Sequence, residues 1–266
     1  MKILVFGELI NDFWVYGRVE RLCPEGPVPV INPTSETKNN GGAGNVVNNL
    51  RSLSNGEIHV DFIHQKELIT KTRYVDKISG YLLLRVDEND ACARIDWFER
   101  KIDFGSYDAI VVSDYDKGFL TEGDIDNISE EALFAKTPMF LDTKKILGNW
   151  SCDVGFVKIN LREYLANLKQ NKKPEHFCKN LIVTSGKDGS WWADRNITVP
   201  APQVKIAEVS GCGDVWLAAF VLNYLAEPRA NEEEAVRKSM VWANRAASFA
   251  ASKPGVVAVN ESDLVR

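Results

Sequence analysis

The densest chemistry in the chain lies in SGCGDVWLAAF, from Ser210 to Phe220. Gly211 and Gly213 bracket Cys212, and Asp214 opens an apolar helical run. Glycines there let backbone N–H groups approach an anion closely, and the positive end of the helix adds its field. Such a turn suits a transferring phosphoryl group. Asp214 is then placed to take a proton from an attacking hydroxyl, although a plain helix cap is the competing reading. No G-x-x-x-x-G-K-[ST] loop occurs, and Trp216 stands where a dinucleotide fingerprint needs its third glycine. A thiol at a helix start is expected to have a lowered pKa, so Cys212 is expected to be reactive, with a buried inert thiol as the alternative.

A second group is NNGGAGNVVNNL, from Asn39 to Leu50. Gly41, Gly42 and Gly44 precede a helix, with Asn45 in its first turn. Close backbone approach plus an amide that both donates and accepts suits a polyhydroxylated ligand; a tight turn is the alternative. A third is NLRE, where Asn160 and Glu163 share a helical face and could hold a hydrated Mg²⁺, or simply cap a helix. TSGKDG, Thr184 to Gly189, reads as a turn after a strand, open to nucleotide contacts.

These residues need a frame. Continuous apolar runs that stop in polar residues occur at 2–6, 109–115, 138–144, 154–160 and 180–186, the pattern of parallel strands buried on both faces. Their polar ends fall where open α/β sheets bind ligands. Helical stripes lie between: Ala43, Val46, Val47, Leu50 and Leu53, then Val236, Met240, Ala243, Ala247 and Ala250. The run from Val215 to Leu225 is apolar nearly all round and predicts a deeply buried helix. Residues 27–36 and 79–89 have strand character with no following helix. They predict a small antiparallel appendage over the sheet's C-terminal edge, or else two edge strands of the main sheet.

The chain has 266 residues, 32 Lys plus Arg against 37 Asp plus Glu, and a net charge of −5. That length supports one large core without disulfide or metal staples. The mild acidity argues against a nucleic-acid partner. No apolar run approaches the ~20 residues that span a bilayer, so no membrane partner is expected. Five cysteines without C-x-x-C spacing, three scattered histidines and no evident signal peptide fit a reducing, cytoplasmic setting.

The order of GGAGN, NLRE and GCGD along the chain resembles the ribokinase (PfkB) carbohydrate kinases. The opening GELINDFWVYGRVERLCPEGPVPVI, with TKTRYV, LLLRVD, VVSDYDKGFLT and FLDTKK, is similar to the heptose 7-phosphate kinases within that family. The resemblance implies a single domain over 1–266. Its expected fold is a doubly wound, mostly parallel sheet with helices on both faces. A small β lid is expected from about 12–36 and 70–90, through which a homodimer could form.

The resemblance further implies transfer of the γ-phosphoryl of ATP, with Mg²⁺, to a sugar phosphate. The expected acceptor is the anomeric hydroxyl of a heptose 7-phosphate, as in nucleotide-activated heptose and lipopolysaccharide synthesis. Other sugars, nucleosides or a weakly catalytic sensor remain open. By motif position Asp214 is the expected base, and Gly211, Cys212 and Gly213 the anion hole. Asp12, Gly41, Gly42, Asn45 and Arg85 fall on the sugar side. Lys144, Asn160, Thr184, Gly186, Gly189 and Asn244 fall near ATP, and Glu163 near the metal. Arg18, Arg21, Lys71 and Arg73 add lid cations that could meet a distal phosphate. Departures from the family pattern are Cys212 for Ala, Glu8 and Glu208 for Asp, and a short stretch from Leu53 to Thr70.

Overall fold

The computed structural model describes residues 1–98, 101–170, 172–227 and 231–264. The chain starts with β1 (Lys2–Gly7), then two long strands, β2 (Leu9–Leu22) and β3 (Pro29–Gly42), and helix α1 (Ala43–Leu53). Strands β4 (His59–Ile63), β5 (Ile69–Asp76), β6 (Leu82–Glu88) and β7 (Ala109–Asp114) lead to α2 (Glu122–Phe134). Next come β8 (Met139–Thr143), β9 (Phe156–Asn160), α3 (Leu161–Lys169), β10 (Leu181–Thr184), β11 (Ser190–Trp192) and β12 (Ile197–Val199). Helices α4 (Cys212–Ala226), α5 (Glu232–Ala251) and α6 (Glu261–Leu264) close the described chain.

The central sheet has the order β12-β11-β10-β9-β8-β7-β1-β4. It is parallel from β4 to β10, and β11 and β12 add on antiparallel. Alternation along each strand builds two cores. Ile3, Val5, Val111, Phe140 and Phe156 pack with α1, α4 and α5 on one face. Leu4, Phe6, Ile110, Val112, Leu141 and Val157 pack with Ile125, Ile128 and Ala132 of α2 on the other. Helices therefore cover both faces, as the continuous apolar strands require. Helix α4 is buried all round from Asp214 to Val221, matching its apolar sequence. Among the described residues no helix is long and apolar enough to cross a membrane.

The second sheet has the order β3-β2-β5-β6. It departs from the antiparallel appendage expected, because the central pair β2/β5 is parallel. The cause is connectivity: β3, α1 and β4 intervene between β2 and β5, so β5 re-enters the sheet by a crossover rather than a hairpin. The first part of this sheet also runs beyond the expected 12–36, whereas β6 lies within the expected 79–89. β2 starts at Leu9, and β3 runs through Asn39 and Asn40 to Gly42. Gly41 and Gly42 are thus strand residues rather than a free loop, and Gly44 lies inside α1. Between Leu53 and Ile69 the chain makes one strand, β4, which is an edge of the central sheet.

Candidate active site

Asp214 sits in the first turn of α4, and its carboxyl is buried. It is not a cap: Gly211 occupies the N-cap position at φ +79° with no side-chain cap bond. Instead Oδ1 accepts the hydroxyl of Tyr115 at 2.6 Å and Oδ2 accepts Nδ2 of Asn45 at 2.9 Å. A side chain at Gly211 would be excluded, since its Cβ would fall 2.6 Å from that same Asn45 nitrogen. Asn45 is oriented in turn by Asn49, whose Nδ2 donates to Asn45 Oδ1 at 3.0 Å. Asn49 Oδ1 accepts the Val259 N–H at 3.0 Å.

Burial lifts the Asp214 pKa to about 6, against the opposing bonds from Tyr115 and Asn45. Near neutral pH the group is therefore charged yet close to the point of accepting a proton, the property a general base needs. The Tyr115 phenol is pushed well above its ordinary value by burial and by Asp214, so it remains a donor. Cys212 corrects the expectation of a lowered pKa. Burial, Glu208 and Asp214 push its thiol up to about 11, outweighing the helix end. Its Sγ lies 3.8 Å from the Glu208 carbonyl.

A cavity of about 350 Å³ opens beside Asp214. Gly211, Cys212, Gly213 and Asp214 form one wall, and Tyr115, Asp142, Lys144, Lys158 and Asn160 another. Thr184, Gly186, Gly189 and Asn244 line its far side. Gly189 is required by the fold: at φ +95° its Cβ would collide with the Val199 carbonyl at 2.1 Å. Asn244 has both polar atoms engaged within the protein, accepting from Trp216 Nε1 at 2.8 Å and donating to Val199 O at 2.8 Å.

Asn160 and Glu163 form the capping box of α3: Asn160 Oδ1 takes the Glu163 N–H, and Glu163 Oε2 takes the Asn160 N–H. Glu163 Oε1 also pairs with Lys144 Nζ at 2.5 Å. Burial opposes the Lys144 ammonium, but Asp142 and Glu163 outweigh it and hold its pKa above the ordinary value. Among the described residues no cluster of three His, Cys, Asp or Glu forms a metal cage. A nucleotide-borne Mg²⁺ needs only one or two carboxylates and its own waters. Asp142 offers a suitable oxygen, Oδ1, buried in the cavity wall without a hydrogen-bond partner.

The second sheet carries the residues expected on the sugar side, and Asn45, at the start of the helix that follows β3, ties it to Asp214. Strand register sets Asn39, Asp12, Lys71 and Asp87 in one cross-strand row, and Thr37, Trp14, Arg73 and Arg85 in the next. The period of two puts both rows on one face. Asp12 and Trp14 are buried, Arg73 pairs with Asp12, and the Arg73 guanidinium lies over the Trp14 ring at 4.9 Å. Burial outweighs Arg73 and lifts the Asp12 pKa. Arg85 is half exposed and bidentate to Asp87 at 2.6 and 2.7 Å. Gly42, at φ +62°, brings its Cβ position to 2.4 Å from the Glu8 carbonyl, so only glycine fits where β3 turns into α1.

Several residues here escaped the sequence reading. Tyr115, Asp142, Lys158 and Asn49 are not among the residues that the sequence singles out for chemistry. Lys158 Nζ pairs with Asp142 Oδ2 at 2.6 Å, and a Cβ at Gly213 would lie 3.0 Å from that nitrogen. For Tyr115 and Asp142 the one signal is a polar residue near the end of an apolar strand; Asn49, in α1, and Lys158, inside β9, carry none. Glu8 proves to be a buried brace, accepting the N–H of Tyr115 at 2.8 Å and of Lys117 at 3.0 Å. Glu208 folds onto its own turn, accepting from Val209 N and Ser210 N.

The pfkB family carbohydrate kinase profile matches residues 156–263. The bifunctional protein HldE of Bradyrhizobium diazoefficiens is 29% identical over 99% of this chain, which spans 62% of that relative's length. Ribokinase from Thermotoga maritima superposes with a TM-score of 0.72 at 15% identity, covering 100% of this chain and 98% of the ribokinase. Arabidopsis thaliana ribokinase, complexed with ribose and ATP, gives 0.70 at 14% identity, covering 99% and 97%. The chain thus carries a segment, residues 156–263, that matches the pfkB family carbohydrate kinases, and its fold is that of ribokinase throughout.

Proposed function

We propose that the protein is an ATP-dependent sugar kinase that phosphorylates a sugar already carrying a phosphate, with the anomeric hydroxyl of a heptose 7-phosphate as acceptor. The observation that carries the kinase reading is Asp214, a buried carboxyl with a pKa near 6 in the first turn of α4, in the wall of the cavity. The whole-chain likeness to HldE proteins supports the heptose, and Lys71 and Arg73 on β5 support a phosphorylated acceptor.

Asp214 accepts the proton of the attacking hydroxyl as the hydroxyl oxygen bonds to the γ-phosphorus and the bond to the β-phosphate oxygen breaks, releasing ADP. The turn at Gly211–Gly213 and the positive end of α4 stabilise charge on the transferring group. Lys144 and Lys158 supply cations in the same wall. Bound on ATP, Mg²⁺ would neutralise the phosphates, with Asp142 and Glu163 as the carboxylates nearest to hold its waters. Lys144, Asn160, Thr184, Gly186, Gly189 and Asn244 bound the nucleotide's volume. Asp12, Gly41, Gly42 and Asn45 bound the sugar's. The second sheet, contributed by about 9–42 and 69–88, acts as a lid that excludes water as a competing acceptor. A homodimer through this sheet and a cytoplasmic location complete the reading.

A second reading, kinase action on an unphosphorylated sugar or nucleoside, is favoured by one observation: Arg73 and Arg85 are already paired with Asp12 and Asp87. The test is ADP release from Mg-ATP with heptose 7-phosphate, free heptose, hexose 6-phosphates and nucleosides, with the product's phosphate located by NMR. Preference for heptose 7-phosphate with phosphate on the anomeric oxygen is expected. Equal use of free heptose, or transfer to another oxygen, contradicts the assigned acceptor.

A further inference from the structure

Tyr115 follows β7 and reaches into the wall of the cavity. Its placement is fixed at three points. Glu8 Oε2 accepts its backbone N–H at 2.8 Å, the Lys144 ammonium lies 5.3 Å from its ring centroid, and its hydroxyl donates to Asp214 Oδ1 at 2.6 Å. The opposite carboxylate oxygen is held by Asn45, which is itself fixed by Asn49 and the Val259 N–H. Asp214 is thus clamped from both sides, by a neutral amide relay on one oxygen and a phenol on the other. The amide relay has no titrating member, so Tyr115 is the ionisable half of the clamp.

We propose that Tyr115 is a positioning residue for the phosphoryl-transfer step, holding the Asp214 carboxylate charged and aimed at the acceptor hydroxyl. This rests on the reading of Asp214 as the base. A short bond from a hydroxyl to a carboxylate stabilises the charged form, so loss of the hydroxyl makes Asp214 harder to ionise. The other charged or titratable groups around Asp214 are Asp142 and Lys144 at the end of β8, Lys158 on β9, Glu163 on α3 and Cys212 on α4. None of these hydrogen-bonds the Asp214 carboxylate among the described contacts, so their influence is common to the wild type and a Tyr115 variant. Removing the hydroxyl alone, by Tyr115→Phe, retains the ring beneath Lys144.

The test combines two readouts. In ¹³C-carboxyl NMR of the ligand-free protein, the Asp214 midpoint should rise by about one pH unit in Tyr115→Phe. The acid limb of kcat/KM should move with it, giving a loss of roughly threefold near pH 6.5 that approaches tenfold at about pH 5. Replacing Tyr115 by 3-fluorotyrosine, a stronger donor, should move both the other way and covers the case in which Tyr115→Phe fails to fold. In an Asp214→Asn background, Tyr115→Phe should cost little further turnover, because the two act as a unit. An unmoved Asp214 midpoint, or a fully additive loss in the double variant, overturns the proposal. Full turnover by Asp214→Asn alone would instead refute the base assignment, while the carboxyl titration still decides whether Tyr115 holds that group.

Discussion

Lys158 Nζ lies 2.6 Å from Asp142 Oδ2, a buried ion pair between neighbouring strands β9 and β8 in the wall of the cavity. Both side chains are nearly removed from solvent, at 5% and 6% exposure. Desolvating two charges opposes their attraction, so the pair is not assigned a net stabilising role. Removing one partner is another matter, because the other charge is left buried. Lys158→Met is expected to lower stability by about 3 kcal/mol in urea unfolding and to reduce phosphoryl transfer. A variant as stable as wild type would show that Asp142 finds another cation or takes up a proton.

The pH dependence follows from Asp214. Its pKa in the folded protein is about 6, raised from 3.8. The native state therefore holds a proton that the unfolded chain gives up between those values. That stabilising contribution is complete below about pH 4 and is lost as pH rises through 6. Activity runs the opposite way, because the charged form is the base, so kcat/KM should fall below about pH 6. At pH 7, Asp214→Asn should unfold at higher denaturant, with a gain of up to about 3 kcal/mol. An acid limb near pH 4 would show that the base is not in this environment.

Cys212 gives a chemical check on the same turn. With its thiol pushed up to about 11, little thiolate exists at pH 7.5. Iodoacetamide should label Cys212 more slowly than a free cysteine in a peptide, read by mass spectrometry of the digested protein. Labelling faster than the peptide would mean that the helix end, not burial, governs the site.

On the proposed reading Arg73 would meet the acceptor's distal phosphate. It pairs with the buried Asp12 and sits beside Arg85 across the β5/β6 pair, on one face of the second sheet. Arg73→Ala leaves Asp12 buried without its cation, so part of the effect is structural. Its diagnostic signature is a KM for heptose 7-phosphate raised at least ~30-fold, the range for losing a desolvated charge contact, with a smaller change for free heptose. Equal changes for both sugars would remove the phosphate from this face.

The central frame was legible because five of its six parallel strands lie in largely apolar runs, whereas β4, with His59 and Asp61 in five residues, has no such run. β1, β7, β8, β9 and β10 fall within a residue or two of the ranges 2–6, 109–115, 138–144, 154–160 and 180–186. The second sheet was less so. β2 mixes Asn11 and Asp12, both buried, and Arg18 and Glu20, both exposed, into one strand, so hydrophobic alternation is blurred there. The parallel β2/β5 pairing depends on a crossover that no local signal encodes. At the site, GCGD identified the turn through its glycines, whose geometry is local. Tyr115, Asn49, Asp142 and Lys158 converge from separate parts of the chain, and their roles arise only from contacts over as many as 210 residues of sequence.

The most direct measurement is turnover of Asp214→Asn with saturating Mg-ATP and heptose 7-phosphate, alongside ATP binding by calorimetry. The amide keeps the shape of the carboxylate and cannot accept the acceptor's proton. ATP affinity within a few-fold of wild type and turnover lower by at least ~100-fold are predicted. Turnover within tenfold of wild type would contradict Asp214 as the base and, with it, the mechanism assigned to this site.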